Sequence, residues 1–336
     1  PVHAWGEIYT GISAKDYMDG TSNFYGVHSV TLYVDSVQVF NSTTDKVLPD
    51  ENRMINGFTD YEELTRTRRL IMRSYKLPGN RLRLLHTNEN RGAVTIDEER
   101  DYHFRYVLED NFGNRRTYQF IVKGKRQDIP EYKPEANEML YWNRTNVIQK
   151  PGMELVVPRY YVYEDVPLRT DMQGDSSLIA FDYILDAGRT PIHSYCDLSI
   201  GLRHMPVADT TKYYIVQKAG KWQSSMGGKY ANGWIKTRVR SLGTFSVDVD
   251  TIAPQITPIG QGGWRTSRNI RFRIKDMESG IESYKVYIDG KFVLFGLKKG
   301  ILVIQDPEKV KKGVPHKLEV TVTDQCGNMA RKEYKF

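Results

Sequence analysis

Hydrophobic and polar residues alternate along much of the chain with the two-residue period of β-strands. The alternation is clear at residues 36–40 and again at residues 234–240, where Ile235, Thr237 and Val239 alternate with Lys or Arg. A strand of this kind buries one face and exposes the other. The pattern therefore predicts an all-β protein.

One strand pattern occurs near both ends of the chain. Residues 26–35 and 280–289 both begin Gly-Val-x-Ser or Gly-Ile-x-Ser and continue as a strand that closes on Asp. Each copy has a distant second half, at residues 106–114 and 320–328, in which a strand reaches Asp and turns through Gly-Asn. Gly and Asn tolerate the positive φ that a tight hairpin turn requires. We therefore expect related β-modules at the two ends of the chain.

Length and turn residues set the expected domain organisation. A chain of 336 residues is long enough for two or three domains. Charged residues and prolines between Asp128 and Glu138 are typical of a linker, and Ala253-Pro254 favours an extended connection. We predict three serial immunoglobulin-like or β-sandwich domains, with the first and third related, at residues 1–127, 128–250 and 251–336.

The first module carries extra residues between its two halves, and a helix is predicted there, near residues 59–76. Thr59 and Glu62 have the spacing of a capping box, and Pro78-Gly79 would stop the helix. The later part is rich in arginine, including the candidate contact residues Arg66, Arg69 and Arg73. A solvated helix face explains these arginines, and a docking site for an acidic partner is the alternative.

The net charge of +7 allows an anionic partner such as a wall polymer or a membrane face. The basic residues are scattered and no nucleic-acid motif accompanies them, so we expect no nucleic-acid partner. The strand at residues 234–240 concentrates charge on one face. Its Lys236, Arg238 and Arg240 are the second set of candidate contacts for an anionic ligand.

Sequence motifs of catalysis are missing. The seven histidines form no HxH or HExxH pair, and the chain has no GxSxG turn, phosphate-binding glycine loop or dinucleotide fingerprint. Cys196 follows His193 by three residues, a spacing that alone favours a structural thiol. Cys196 and Cys326 fall in different predicted domains and are expected as buried thiols. We predict no catalytic residue and no cofactor in this chain.

The sequence leaves two further kinds of ligand open, calcium and sugar. Asp16 and Asp19 in the first module, and Asp276 and Glu278 in the last, could hold calcium, although Asp beside Gly also caps turns through its own backbone amides. The 5 tryptophans and 22 tyrosines could form a sugar-stacking platform, although aromatic residues of β-proteins more often pack in the core.

No apolar run is long enough to span a bilayer. The chain begins at Pro1 rather than Met, which indicates a processed protein or a fragment, so the lack of a signal peptide says nothing about secretion.

Several stretches resemble a known family. The region that follows the catalytic domain in lysostaphin-type (LytM-like) zinc peptidases of Gram-negative anaerobes is similar to residues 4–8, 11–20, 25–27, 56–61, 78–80 and 276–290. Residues 156–158 and 242–245 resemble the β-sandwich found in the same proteins. The resemblance covers essentially the whole chain. It implies a cell-envelope protein, periplasmic or associated with the outer membrane, whose parent cleaves peptidoglycan with an upstream zinc domain. The HxxxD and HxH zinc ligands of that family match nothing here, so zinc is expected only upstream.

These patterns lead to one functional prediction and two alternatives. The predicted function is a non-catalytic accessory region of a peptidoglycan endopeptidase, which positions the catalytic domain or contacts the wall or an envelope partner. A freestanding adhesin or glycan-binding module would require an exposed aromatic or calcium-bearing patch. An enzyme in its own right would require a pocket with converging titratable groups of perturbed pKa.

Overall fold

The structure is a computed structural model that describes residues 2–17, 20, 22–131, 133–175 and 177–336. Strands dominate and fall into three groups along the chain, which we call the first unit (residues 2–124), the second unit (138–250) and the third unit (251–336). Among the described residues, no sheet mixes strands from two units. The all-β fold is confirmed, whereas the exact domain limits 1–127, 128–250 and 251–336 stay predictions.

The first unit is built on a six-stranded sheet with the order β1-β12-β11-β6-β7-β9, and small pairs β2-β10, β3-β8 and β4-β5 lie beside it. A 3-10 helix at Asn52–Met54 precedes its two α-helices. Its elements are β1 (Val2–Ala4), β2 (Gly6–Ile8), β3 (Gly11–Ile12), β4 (Asp16–Tyr17), β5 (Phe24–Tyr25), β6 (Ser29–Val34), β7 (Val37–Thr43), α1 (Ile55–Phe58), α2 (Tyr61–Thr67), β8 (Met72–Arg73), β9 (Leu85–Thr87), β10 (Val94–Ile96), β11 (Asp101–Glu109) and β12 (Arg115–Gly124).

The predicted helix over residues 59–76 is wrong in length and in its cap. Helix α2 covers only Tyr61–Thr67, and Asp60 rather than Thr59 caps it by accepting a hydrogen bond from the Glu63 amide. The helix ends at Arg68, which adopts the left-handed conformation (φ 66°). Beyond it, β8 pairs with β3. Tertiary strand pairing therefore overrides the helical pattern of residues 69–76.

The second unit is a sandwich of two sheets, β13-β16-β17-β23-β19-β20 and β14-β15-β18-β22-β21, around one core. Fully buried Leu155 and Leu198 come from one sheet, and Leu185 and Phe245 from the other. A 3-10 helix lies at Thr210–Lys212. The strands are β13 (Glu138–Leu140), β14 (Asn146–Lys150), β15 (Met153–Val157), β16 (Val166–Gln173), β17 (Asp182–Asp186), β18 (Cys196–Gly201), β19 (Tyr213–Ala219), β20 (Trp222–Ser225), β21 (Lys229–Ala231), β22 (Trp234–Val239) and β23 (Gly243–Val249).

The third unit is a smaller sandwich of the sheets β24-β25-β29-β28 and β27-β26-β30-β31. Trp264 is fully buried in its core and donates its indole N–H to the Ile259 carbonyl at 2.9 Å. Short 3-10 helices lie at Gln261–Gly263 and Pro307–Lys309. Its other elements are β24 (Gln255–Ile259), α3 (Trp264–Ser267), β25 (Arg271–Lys275), β26 (Ile281–Ile288), β27 (Lys291–Phe292), β28 (Phe295–Lys298), β29 (Ile301–Ile304), β30 (Lys317–Asp324) and β31 (Met329–Lys335).

The repeat seen in the sequence is present in the structure. Strands β6, β11 and β12 pair antiparallel in the first unit in the same order as β26, β30 and β31 in the third. Asp35 and Asp289 both have positive φ, and each accepts a hydrogen bond at 2.9 Å from a backbone amide of the neighbouring strand, that of His103 or Lys317. The repeated aspartates at these positions therefore hold the ends of strands.

Candidate binding sites at the two junctions

The junction between the first and second units is closed by Tyr163. This residue belongs to the second unit, but its side chain is 3% exposed and packs in the core of the first. Its hydroxyl donates to the Arg53 carbonyl at 2.7 Å and lies 3.0 Å from His193 Nδ1. Gly57 makes room for the ring, because a Cβ there would come within 2.7 Å of Tyr163 Cδ2. The two units are thus interlocked by a buried aromatic side chain.

The junction between the second and third units is closed by Asp250, which is fully buried. Its carboxylate accepts hydrogen bonds from the Ser279 amide at 3.1 Å and the Ser279 hydroxyl at 2.5 Å. Asn328 donates to the Asp250 carbonyl at 3.0 Å, and Lys212 of the second unit donates to the Cys326 carbonyl at 3.0 Å. The end of the second unit is therefore embedded in the turns of the third.

Asp250 is also part of the one group of candidate metal ligands found within the described residues. Carboxylate oxygens of Asp250, Asp276 and Asp324 all lie within 4.8 Å of one another. Oxygen ligands of this kind suit calcium. The carboxylates already accept hydrogen bonds, however, and Asp324 Oδ1 accepts from the amides of Cys326 and Asn328 at 2.9 and 2.8 Å. We call these three residues the aspartate cluster.

The pKa values of this region reflect burial and crowded negative charge. Burial and the nearby Asp250 carboxylate raise the pKa of Glu278, and burial also raises the pKa of Asp324. Burial opposes ionisation of Asp250 as well, but its hydrogen bonds from Ser279 and the Ile252 amide lower its pKa. The carboxylates repel one another, and the hydrogen bonds that Asp250 accepts favour its ionised form over those of Asp324 and Glu278.

The calcium candidates of the sequence are thus only partly brought together. Asp276 joins the aspartate cluster, and Glu278 lies close enough to Asp250 for the two pKa values to be linked. Asp16 lies in β4, away from this cluster and paired across the strands with Tyr25. Asp19 lies outside the described residues. Sequence reasoning missed Asp250 and Asp324, and calcium binding stays a prediction.

The cationic strand face forms as predicted on β22, with Lys236 and Arg238 exposed and Ile235 and Val239 buried. Among the described residues, none of the three candidate cations makes an ion pair within 4.0 Å. Arg238 and Arg240 lie over the ring of the half-exposed Tyr195, at 5.6 and 4.9 Å from its centroid.

This face borders a groove at the second junction, of about 930 Å³. Lys236 and Arg238 line it, but so do the acidic side chains of Asp197, Glu282 and Asp324. The groove is therefore of mixed charge, rather than the uniformly basic surface that the sequence indicated.

The arginines predicted to share one helix are separated in the structure. Arg66 lies on α2 and pairs with Glu63. Arg69 is exposed and lies beyond the helix. Arg73 lies in β8, its side chain is only 18% exposed, and it faces Glu164 of the second unit at 3.9 Å. A single arginine-rich docking surface is therefore not formed, because strand pairing turns Arg73 inward.

A cleft of about 660 Å³ lies at the first junction, and we call it the first-junction cleft. The ring centroids of Tyr9 and Tyr75 in its wall are 4.7 Å apart, and the ring planes are tilted by 54°. The polar and charged residues lining it are Glu7, Lys76, Glu89, Asn90 and Arg91 from the first unit and Glu164 from the second.

Several pKa values in this cleft are shifted. A hydrogen bond to Glu7, with burial, raises the pKa of Tyr9 to about 12. Burial raises the pKa values of Tyr75 and Glu164 and lowers the pKa of Lys76. Converging shifted groups in a cleft are typical of a functional site. One feature of the sequence points to this cleft: Glu7 and Tyr9 are two residues apart and so share one side of an extended segment.

The cysteine–histidine pair is unsuited to nucleophilic catalysis. Cys196 is 1% exposed, and burial raises its pKa to about 12, so the reactive thiolate is strongly disfavoured at neutral pH. Burial lowers the pKa of His193, whose Nδ1 lies against the Tyr163 hydroxyl at the first junction. Both residues serve the packing of the second unit.

Comparison with known proteins gives one family match. Residues 137–250 match the model of the Zu5-like domain. This is about a third of the chain and coincides with the second unit, so it describes that unit and not the whole protein. No curated protein matches the chain.

The solved structures that resemble this chain are remote from it. A calcium-stabilized adhesin with which an Antarctic bacterium binds ice is 11% identical, with 99% of this chain and 94% of that chain covered and a TM-score of 0.18. A 1.5-MDa bacterial ice-binding adhesin is 10% identical, with 93% and 86% covered and a TM-score of 0.17. The protein SGBP-B of the Bacteroides ovatus mixed-linkage glucan utilization locus is 11% identical, with 92% and 59% covered and a TM-score of 0.16. TM-scores this low carry no argument about this chain.

Within the described residues, no helix has the length and apolar character needed to span a membrane.

Proposed function

We propose that this chain is a non-catalytic binding module of a cell-surface or cell-envelope protein, of the adhesin or glycan-binding class. One observation carries the proposal: the first-junction cleft, lined by the first unit and by Glu164 of the second, lies at a boundary that Tyr163 locks. A cleft at a fixed boundary between two β-units is a common form of ligand site. Because the boundary is packed before any ligand arrives, little ordering is needed on binding.

The accessory role in a peptidoglycan endopeptidase stays a prediction, since none of the comparisons bears on the resemblance to lysostaphin-type peptidases. The two proposals predict different effects of salt on binding. Anchoring through Lys236, Arg238 and Arg240 would weaken as salt screens the contact. Binding in the first-junction cleft, where acidic and basic groups are mixed, would depend little on salt.

The test is retention of the intact chain on insoluble polymers. Purified peptidoglycan, chitin and cellulose are each incubated with the protein at low and high salt, beside a variant with Lys236→Ser, Arg238→Ser and Arg240→Ser. We expect retention on at least one polymer at physiological ionic strength, with little loss at high salt or in the triple variant.

The supernatants are also assayed for released reducing ends and free amino groups. A binding module leaves both at background. Absence of retention on every polymer, or steady release of products by the purified chain, would contradict the proposed function. Retention on peptidoglycan alone that disappears in the triple variant would favour the wall-anchoring prediction instead.

A further inference from the structure

We infer that the first-junction cleft binds an uncharged glycan chain, with Tyr9 and Tyr75 as the platform for a sugar ring. This inference rests on the proposed binding function and names its ligand class. Tyr9 is 54% exposed and Tyr75 is half-buried, so the pair offers one accessible and one anchored ring. The C–H face of a pyranose packs on such rings. The Tyr9 hydroxyl already donates to Glu7, and its oxygen can still accept a hydrogen bond from a sugar hydroxyl.

The platform is held in place by the backbone around it. The Ser74 amide donates to the Thr10 carbonyl at 2.8 Å, and the Lys76 amide donates to the Arg91 carbonyl at 2.8 Å. Gly92 has φ of +88°, and a Cβ there would come within 2.6 Å of the Ser74 carbonyl oxygen. The segment that carries Tyr75 is thus fixed on both sides, so its ring needs little ordering on binding.

The polar groups around the rings suit hydroxyl groups better than a charged ligand. Carboxylates of Glu7, Glu89 and Glu164 accept hydrogen bonds, Lys76 and Arg91 donate them, and the Asn90 amide does both. A sugar hydroxyl also both donates and accepts, so it can use either kind of partner. A polyanion would meet the three carboxylates, and a polycation would meet the two basic side chains.

The cleft also has the dimensions of a small-ligand site, at about 660 Å³. The most exposed tryptophan, Trp222, is 72% exposed and lies on β20 of the second unit, where Lys221 stands 5.9 Å from its ring centroid. It offers one ring on an edge strand, and none of the residues that the structure describes gives it a facing aromatic partner such as Tyr75 provides for Tyr9. Trp222 is therefore the natural matched control and the rival platform.

The experiment is calorimetric titration of the intact chain with cellohexaose and, separately, with chitohexaose. The two probes share the β-linked pyranose chain but differ in the N-acetyl groups of wall-type glycans. We expect at least one probe to bind, and Tyr9→Ala to weaken that binding by about two- to tenfold, the loss expected for one aromatic contact. Asn90→Ala should weaken it less, and Trp222→Ala should leave it unchanged.

Folding does not confound the comparison. Tyr9 and Asn90 are exposed, so their variants are expected to keep the fold, and the melting temperature of each variant checks this. Retention of the chain on a polymer with no binding of either probe, or with no effect of Tyr9→Ala, would overturn the glycan cleft and leave the binding function standing. Loss of probe binding in Trp222→Ala alone would overturn it in favour of β20. Failure of the wild-type chain to bind any polymer or probe would overturn both proposals.

Discussion

Tyr163 should determine whether the first and second units unfold together. The ring is 3% exposed in the core of the first unit, although the residue belongs to the second. Replacing a buried aromatic residue by alanine removes its packing and leaves a cavity, at a cost of about 3–5 kcal/mol. Tyr163→Phe keeps the ring but removes the bond to the Arg53 carbonyl, for a cost of about 1 kcal/mol.

The assay is urea unfolding followed by tyrosine and tryptophan fluorescence and by far-ultraviolet circular dichroism. In wild type the two units share the Tyr163 contact, so we expect their transitions to be coupled. In Tyr163→Ala the first unit should unfold at lower urea, so that the two signals no longer coincide. Tyr195→Ala is the control, because Tyr195 is 47% exposed on the same unit.

A cost below about 1 kcal/mol for Tyr163→Ala, with coincident transitions, would refute the interlocked junction. Equal effects of Tyr163→Ala and Tyr195→Ala would also contradict it, since only the former removes a contact between units.

Three further predictions follow from particular contacts. Gly57→Ala should destabilise the protein by about 1–3 kcal/mol in the same urea assay, because the added methyl overlaps the Tyr163 ring, whereas Gly26→Ala, with open space around it, should change stability little. At the aspartate cluster, the raised pKa values of Asp324 and Glu278 mean that the folded state binds protons more readily there, so this region should gain stability as the pH falls from neutral toward about 4. Asp276→Asn removes one of the repelling charges, so it should raise the free energy of unfolding at neutral pH and make the gain at low pH smaller. A variant with a lower free energy of unfolding at neutral pH in metal-free buffer would contradict repulsion within the cluster. Cys196 and Cys326 are both buried with raised pKa values, so iodoacetamide should label neither at neutral pH until urea unfolds the chain, and rapid labelling of the native protein would contradict their burial.

The sequence predicted the strands well because their signal is local. Alternation of Ile235 and Val239 with Lys236 and Arg238 is enough to define β22 and its two faces. The repeated aspartates were also informative, since Asp35 and Asp289 bind equivalent backbone amides in the two related units. The turn-capping alternative is met at Asp276, whose Oδ2 accepts from the amides of Glu278 and Gly280 at 3.1 and 2.6 Å.

The helix is shorter than predicted because of a contact between distant parts of the chain, which no local sequence pattern shows. The segment after α2 pairs with β3, more than fifty positions earlier in the chain, and a bond from the Asp60 amide to the Ile71 carbonyl fixes that extended course. The same nonlocal pairing carries Arg73 away from Arg66 and toward Glu164. Charge counted along a presumed helix thus overstated the basic surface.

The first-junction cleft could be anticipated only in part. Glu7 and Tyr9 stand two residues apart, but Tyr75, Asn90 and Glu164 come from distant segments. Tyr75 and Asn90 are brought together within the first unit, where the Lys76 amide donates to the Arg91 carbonyl. Only Glu164 depends on how the second unit docks on the first, and Tyr163 gave no sign in the sequence that it would enter a core other than its own. The aspartate cluster was equally hard to predict from the sequence, because Asp250, Asp276 and Asp324 are far apart in the chain.

A glycan bound in the first-junction cleft should alter amide hydrogen exchange of the intact chain, measured with and without cellohexaose or chitohexaose. Exchange should slow in the segments around residues 7–9, 75–78, 89–92 and 164, which together form the cleft. No change is expected around residues 222 and 236–240. Protection at the cationic strand or at Trp222, with none in the cleft, would contradict binding in the cleft.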